Sequence, residues 1–134
     1  MASPPSPSPS PSPPPPSAPR RVLFVEDESA LRRTYQRFFS TRYDVAFAAS
    51  GSEARRQLED FRPEVLVLDL RLPDTDGVTL LQEIRQSRPS LPVIVTTAYV
   101  SMEPLIHVLD LGHSGYLVKP FDMEDLAARI DALG

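Results

Sequence analysis

Five short apolar runs, rich in β-branched residues, recur along this sequence at nearly constant intervals, and that period constrains the fold more than any other feature. They cover residues 22–25, 43–47, 65–70, 93–95 and 116–118, with starts near 22, 43, 65, 93 and 115, so that 21, 22, 28 and 22 residues separate them. Runs of three to six such residues read as strands here. Each interval holds apolar residues at helical spacing: Leu31, Tyr35, Phe38 and Phe39; Ala54, Leu58 and Phe61; Val78, Leu81 and Ile84; Leu105, Val108 and Leu109; and, after the last strand, Leu126, Ile130 and Leu133. Ser29, Ser52, Asp76 and Asp122 stand in or just before the first turns as candidate caps, and Gly112 is a candidate stop for the fourth stretch. Strands one, three and four are apolar on both faces, as strands covered by helices on both sides must be. The expected fold is α/β, a three-layer sandwich of a five-stranded parallel sheet and five helices with right-handed crossovers.

The first nineteen residues cannot join that core. They hold ten of the sixteen prolines, six serines and only three hydrophobic residues. Such a segment reads as a disordered, extended polyproline spacer over residues 1–19, leaving residues 20–134 as one domain. Its five Ser-Pro steps and PxxP spacings follow from the composition itself. Cysteine is absent, which excludes disulfides, thiolate metal sites and a cysteine nucleophile. No apolar run approaches the roughly 20 residues of a membrane helix, so neither a membrane span nor secretion is expected, and the location expected is cytoplasmic. A net charge of −4 disfavours direct nucleic-acid binding.

In an open parallel sheet the ligand site lies beyond the carboxyl ends of the strands. Strand one leads into Glu26, Asp27 and Glu28; strand three ends at Asp69; strand four ends at Thr96 and Thr97; strand five leads into Lys119 and Pro120. Acids or hydroxyls at strand exits are ordinary turn formers when taken singly. Together, Glu26, Asp27 and Asp69 would repel one another at a few ångströms unless a cation were shared. Oxygen donors without cysteine or a nearby histidine point to Mg²⁺, which bridges carboxylates to phosphate. Lys119, the sole lysine beside thirteen arginines, adds a compact positive charge, and Thr97 a donor suited to a phosphoryl oxygen. His107 and His113 have no third ligand at zinc-like spacing and read as surface residues.

The segments VLFVEDES, VLVLDLRLPDTDG, PVIVTTAY and GYLVKPF resemble the four signature regions of response-regulator receiver domains of two-component phosphorelays, the CheY-like superfamily, over residues 20–134. The spacings agree: 42 residues from Asp27 to Asp69, 28 to Thr97 and 22 more to Lys119. The resemblance implies a flavodoxin-like sheet of order 2-1-3-4-5, the order found in the chemotaxis receiver. It implies a signalling switch rather than an enzyme with an external substrate: Asp69 accepts a phosphoryl group from a sensor histidine kinase or histidine phosphotransfer protein. By the same likeness Asp27 and Asp69 ligate Mg²⁺ directly, Glu26 does so through a water, and the Arg71 carbonyl completes the set. Thr97 and Lys119 hold phosphoryl oxygens. Tyr116 is the switch aromatic, turning inward with Thr97 to alter a surface of the fourth helical stretch, the fifth strand and the fifth helical stretch. The Lys119–Pro120 bond is cis in the family. Arg71 and Tyr99 flank the path of hydrolytic water, which implies slowed phosphate loss. The implied partners include a downstream protein or an effector domain no longer attached, and a phosphorylation-dependent homodimer. Two alternatives stand beside this reading. One is a small phosphatase using Asp69 as nucleophile, although haloacid-dehalogenase-like enzymes place a second aspartate where this chain has Arg71; the other is a pseudo-receiver that never takes phosphate.

Overall fold

A computed structural model describes residues 19–98 and 115–133. The strands are β1 (Arg21–Val25), β2 (Asp44–Ala48), β3 (Val65–Asp69), β4 (Val93–Thr97) and β5 (Gly115–Val118), and the helices are α1 (Ser29–Phe39), α2 (Gly51–Asp60), α3 (Gly77–Ser87) and α4 (Met123–Ala132). All pairings are parallel and the order is β2-β1-β3-β4-β5, as expected. Among the described residues there are four helices, where five were expected along the chain. The stretch holding Leu105, Val108 and Leu109 lies outside the described residues, as do Tyr99, His107, Gly112, His113 and the Pro/Ser segment up to residue 18. Among the described residues no helix is long and apolar enough to cross a membrane.

Strand alternation sorts the core into two layers. Leu23, Val25, Leu66, Leu68, Val93 and Val95 pack with Ala54 and Leu58 of α2 and Leu80, Leu81 and Ile84 of α3. Val22, Phe24, Val65, Val67, Ile94 and Leu117 pack with Tyr35 and Phe39 of α1 and Leu126, Ala127 and Ile130 of α4. Each fully buried leucine or isoleucine stabilises the sandwich by about 1.5–3 kcal/mol relative to exposure. Phe24 anchors the second layer, with its ring 4.7 Å from Tyr35 and 5.2 Å from Phe39.

One cap differs from expectation. Ser50, not Ser52, precedes α2 and accepts the Glu53 N–H, because the helix already starts at Gly51. Asp76 caps α3 through the Val78 N–H, as its position suggested. Ser29 lies inside α1 behind Glu28, and Asp122 precedes α4 without closing a side-chain cap bond.

The turn from β3 into α3 shapes the sheet's carboxyl edge. Leu70 donates its N–H to Thr96 O at 3.1 Å, and Gly77 donates its own to Leu70 O at 2.9 Å. This fold-back requires glycine, since a Cβ at position 77 would stand 2.4 Å from Leu70 Cα and 2.6 Å from its carbonyl oxygen. Backbone atoms cannot yield as a flexible side chain can. Gly77→Ala is therefore expected to cost at least about 3 kcal/mol, the upper end of ordinary overpacking, read as a lower urea midpoint. An unchanged midpoint would show that the turn relaxes without cost.

Candidate functional site at the carboxyl edge of the sheet

The sheet turns residues distant in sequence into neighbours. Glu26 immediately follows β1 and Asp69 closes β3, the strand beside it. Their side chains continue the Val22, Phe24 and Val65, Val67 series, so both belong to the α1/α4 face, and both are almost wholly buried, at 1% and 2% exposure. Asp27, the next residue, is exposed. One oxygen from each of Glu26, Asp27 and Asp69 lies within 4.8 Å of the others. Lys119, just past β5, reaches between the buried pair, with Nζ 2.8 Å from Glu26 Oε1 and 3.2 Å from Asp69 Oδ2. The remaining oxygens take main-chain donors: the Glu28 N–H bonds Glu26 Oε2 at 3.1 Å, and the Arg71 N–H bonds Asp69 Oδ1 at 3.1 Å. The Lys119–Pro120 peptide is cis.

These side chains, with Glu28, Arg71 and Ala98, line a cleft of about 340 Å³. Thr97 is buried at the end of β4, beside the cleft rather than in its wall, and its carbonyl accepts the Lys119 N–H at 2.7 Å. Arg71 is exposed on the rim. Tyr116 is half-buried on β5 and packs against the α2/α3 layer. The structure thus brings together Glu26, Asp27, Asp69, Arg71 and Lys119, with Thr97 adjacent and Tyr116 apart.

Three carboxylates facing one ammonium leave an excess of negative charge. Burial pushes the Glu26 carboxyl up to about 7; the Lys119 hydrogen bond opposes that rise, and the charge of Asp69 adds to it. An all-oxygen donor set with surplus negative charge fits a hard divalent cation such as Mg²⁺. The shift also sets the pH dependence. A carboxyl that titrates near 4.5 when unfolded and near 7 when folded favours the folded state at low pH. That contribution is lost as pH rises through this window, by up to about 3 kcal/mol. Without divalent metal, urea unfolding is therefore expected to show stability declining from about pH 5 to about pH 7, and Glu26→Gln to flatten the slope. A wild-type profile that rises over this interval would contradict the assignment.

Three supporting residues escaped sequence reasoning. Arg32 donates to the Glu26 carbonyl at 2.8 Å, fixing the chain as it leaves β1. Asp74 accepts the N–H groups of Gly51 and Ser52, which hold its carboxylate below the usual range and tie the β3–α3 turn to the start of α2. Tyr35 is buried in the α1/α4 layer, near enough to Glu26 and Asp69 to feel their charge, and read from sequence only as one more apolar-face position. Nothing in the sequence distinguished Asp74 from a plain turn residue.

Comparison with known proteins gives a consistent picture. The response regulator receiver domain profile matches residues 22–131. The response regulator MprA of Mycobacterium leprae is 40% identical over 114 residues, covering 84% of this chain and 50% of that protein. MprA of Mycobacterium sp. (strain KMS) is 38% identical over 116 residues, 86% of this chain and 50% of that protein. The chain spans about half the length of these curated relatives. Among solved structures, a CheY-like response regulator receiver domain protein from Methanospirillum hungatei superimposes with a TM-score of 0.82 at 28% identity, over 87% of this chain and 94% of that one. The Francisella response regulator 1452 receiver domain gives 0.79 at 30% identity, over 85% and 95%. With four fifths of the sequence matched to one profile and the sheet order in agreement, this chain belongs to the response regulator receiver domain family, the regulatory module of two-component signalling.

Proposed function

We propose that this receiver is a working phosphoryl switch with Asp69 as its acceptor. The observation that carries the reading is the sharing of Lys119 Nζ between Asp69 and Glu26 inside a cluster of three converging carboxylates. An Asp69 oxygen attacks the phosphorus of a phosphohistidine on a partner kinase or phosphotransfer protein. The O–P bond forms, the P–N bond breaks, and its electron pair returns to the imidazole, leaving an aspartyl phosphate. Such transfer needs alignment and charge neutralisation more than acid or base chemistry. Lys119 supplies a positive charge at the acceptor oxygen, and the bond from the Arg71 N–H to Oδ1 fixes the carboxylate's orientation. Asp27, Asp69, the Arg71 carbonyl and, through a water, Glu26 would hold Mg²⁺, which when bound neutralises phosphoryl oxygens. Thr97 would bond a phosphoryl oxygen once it arrives. Tyr116 would follow, passing the change to the surface around β5 and α4 and to a downstream partner.

Incubation with Mg²⁺ and acetyl phosphate, followed by intact-mass measurement, tests the reading. One added phosphoryl group per chain is expected. Continuous consumption of acetyl phosphate without an adduct would point instead to a phosphatase, and neither adduct nor turnover to an interaction module that takes no phosphate.

A further inference from the structure

The Tyr35 hydroxyl is the one buried side-chain polar atom among the described residues that has no hydrogen-bond partner. The residue is 1% exposed, and its ring stands over Phe24 at 4.7 Å. Beyond Phe24 on the same sheet face, toward the carboxyl edge, come Glu26 on β1, Asp69 on β3 and Thr96 on β4, with Asp69 and Thr96 paired in register. The hydroxyl is close enough to the acidic cleft for its charges to act on it. Burial and then the charges of Glu26, Asp69 and Glu28, in that order, hold its proton on firmly. Thr96, also 1% exposed, stands beside the hydroxyl and slightly opposes that hold, although the two do not meet in full hydrogen-bond geometry. An unbonded hydroxyl in such a place is unfavourable, and it is a donor in waiting.

Resting on the reading of Asp69 as acceptor, we propose that Tyr35 is a reserve donor for Glu26, a positioning residue that supplies a hydrogen bond when Lys119 turns to the incoming phosphoryl group. In the resting protein Glu26 Oε1 is served by Lys119 at 2.8 Å, while Oε2 has the Glu28 N–H. The ammonium also touches Asp69, so a phosphoryl group built on Asp69 draws it away from Glu26. Oε1 then loses its charged donor, and a buried carboxyl oxygen is costly to leave unbonded. The Tyr35 O–H, close enough to feel the charge of Glu26, turns to it and takes over with no proton transferred. The exchange gives the loaded state a bond that the resting state lacks.

Tyr35→Phe isolates this role because it removes only the oxygen. The probe is beryllofluoride with Mg²⁺, a mimic of the bound phosphoryl group, titrated against wild type, Tyr35→Phe, Glu26→Gln and the double variant, with urea unfolding of the unloaded proteins alongside. The expected result is an unloaded Tyr35→Phe protein at least as stable as wild type, since no bond is lost, but with roughly tenfold weaker beryllofluoride binding, the loss of one hydrogen bond to a charged group. That deficit should shrink in the Glu26→Gln background, where the acceptor is uncharged. Wild-type affinity in Tyr35→Phe would overturn the inference while leaving the acceptor reading intact. So would a deficit of equal size in both backgrounds, and so would an equal loss of unloaded stability, which marks a purely structural hydroxyl. A wild-type protein that takes neither beryllofluoride nor a phosphoryl group would overturn the acceptor reading and the reserve donor together.

Discussion

Asp69→Asn is expected to take up no phosphoryl group from acetyl phosphate under conditions that load the wild type to one per chain, and at the same time to unfold at higher urea. The two effects share one cause. The amide keeps the shape of the carboxylate, so its oxygen still faces the Arg71 N–H, but it has no anionic oxygen to attack phosphorus. It also removes one of three converging carboxylates, two of which share a single lysine. At separations under 4.8 Å the relieved repulsion outweighs one lost Lys119 contact. The net gain is about 1 kcal/mol at an effective dielectric constant near 20. Intact mass and urea unfolding on the same two samples check both halves. A full adduct on Asp69→Asn would move the acceptor elsewhere, and a destabilised variant would mean that the cluster is not under charge strain.

Both the fold and the residues that line the candidate site were largely legible in the sequence, for different physical reasons. A strand covered on both faces must be apolar throughout, so VLFV and VLVL announced β1 and β3, and the intervals between runs fitted one helix each. Charged residues at the ends of such strands stand out because they interrupt an apolar run, and Glu26, Asp69 and Lys119 were found in that way. What the sequence could not convey depends on three-dimensional placement. Nothing local says that Lys119 reaches Glu26, 93 positions away, rather than Asp69 alone. Gly77 drew no reading of its own from the sequence; its role is a close approach to the Leu70 backbone, which only the folded turn creates. Ser52 was the expected cap, and the start of α2 at Gly51, held by Asp74, puts Ser50 in that place instead. Tyr35 sat in a helical apolar series with Leu31, Phe38 and Phe39, so its ring was placed correctly while the position of its hydroxyl was invisible.

Lys119 carries the largest energetic consequence. The carboxylates it joins have side chains only 1% and 3% exposed, while its own is 20% exposed. Lys119→Met keeps the apolar stem and deletes the ammonium, leaving two buried anions facing each other. Breaking a buried pair from one side typically costs about 3–5 kcal/mol, and that loss is expected near pH 8 in the absence of divalent metal. Acidification should return much of it, because Glu26, already raised to about 7 by burial, loses the partner that held it down and gains a proton more readily. Asp69→Asn should return stability by the other route, so the double variant is expected to lie closer to wild type than the sum of the single changes. Lys119→Arg preserves the charge but presents a planar fork where a compact ammonium sits between two oxygens, so its stability loss should be smaller. Urea unfolding of these proteins near pH 5 and near pH 8 separates charge from packing: if Lys119→Met loses the same stability at both pH values, the stem and not the ammonium is what the fold needs there.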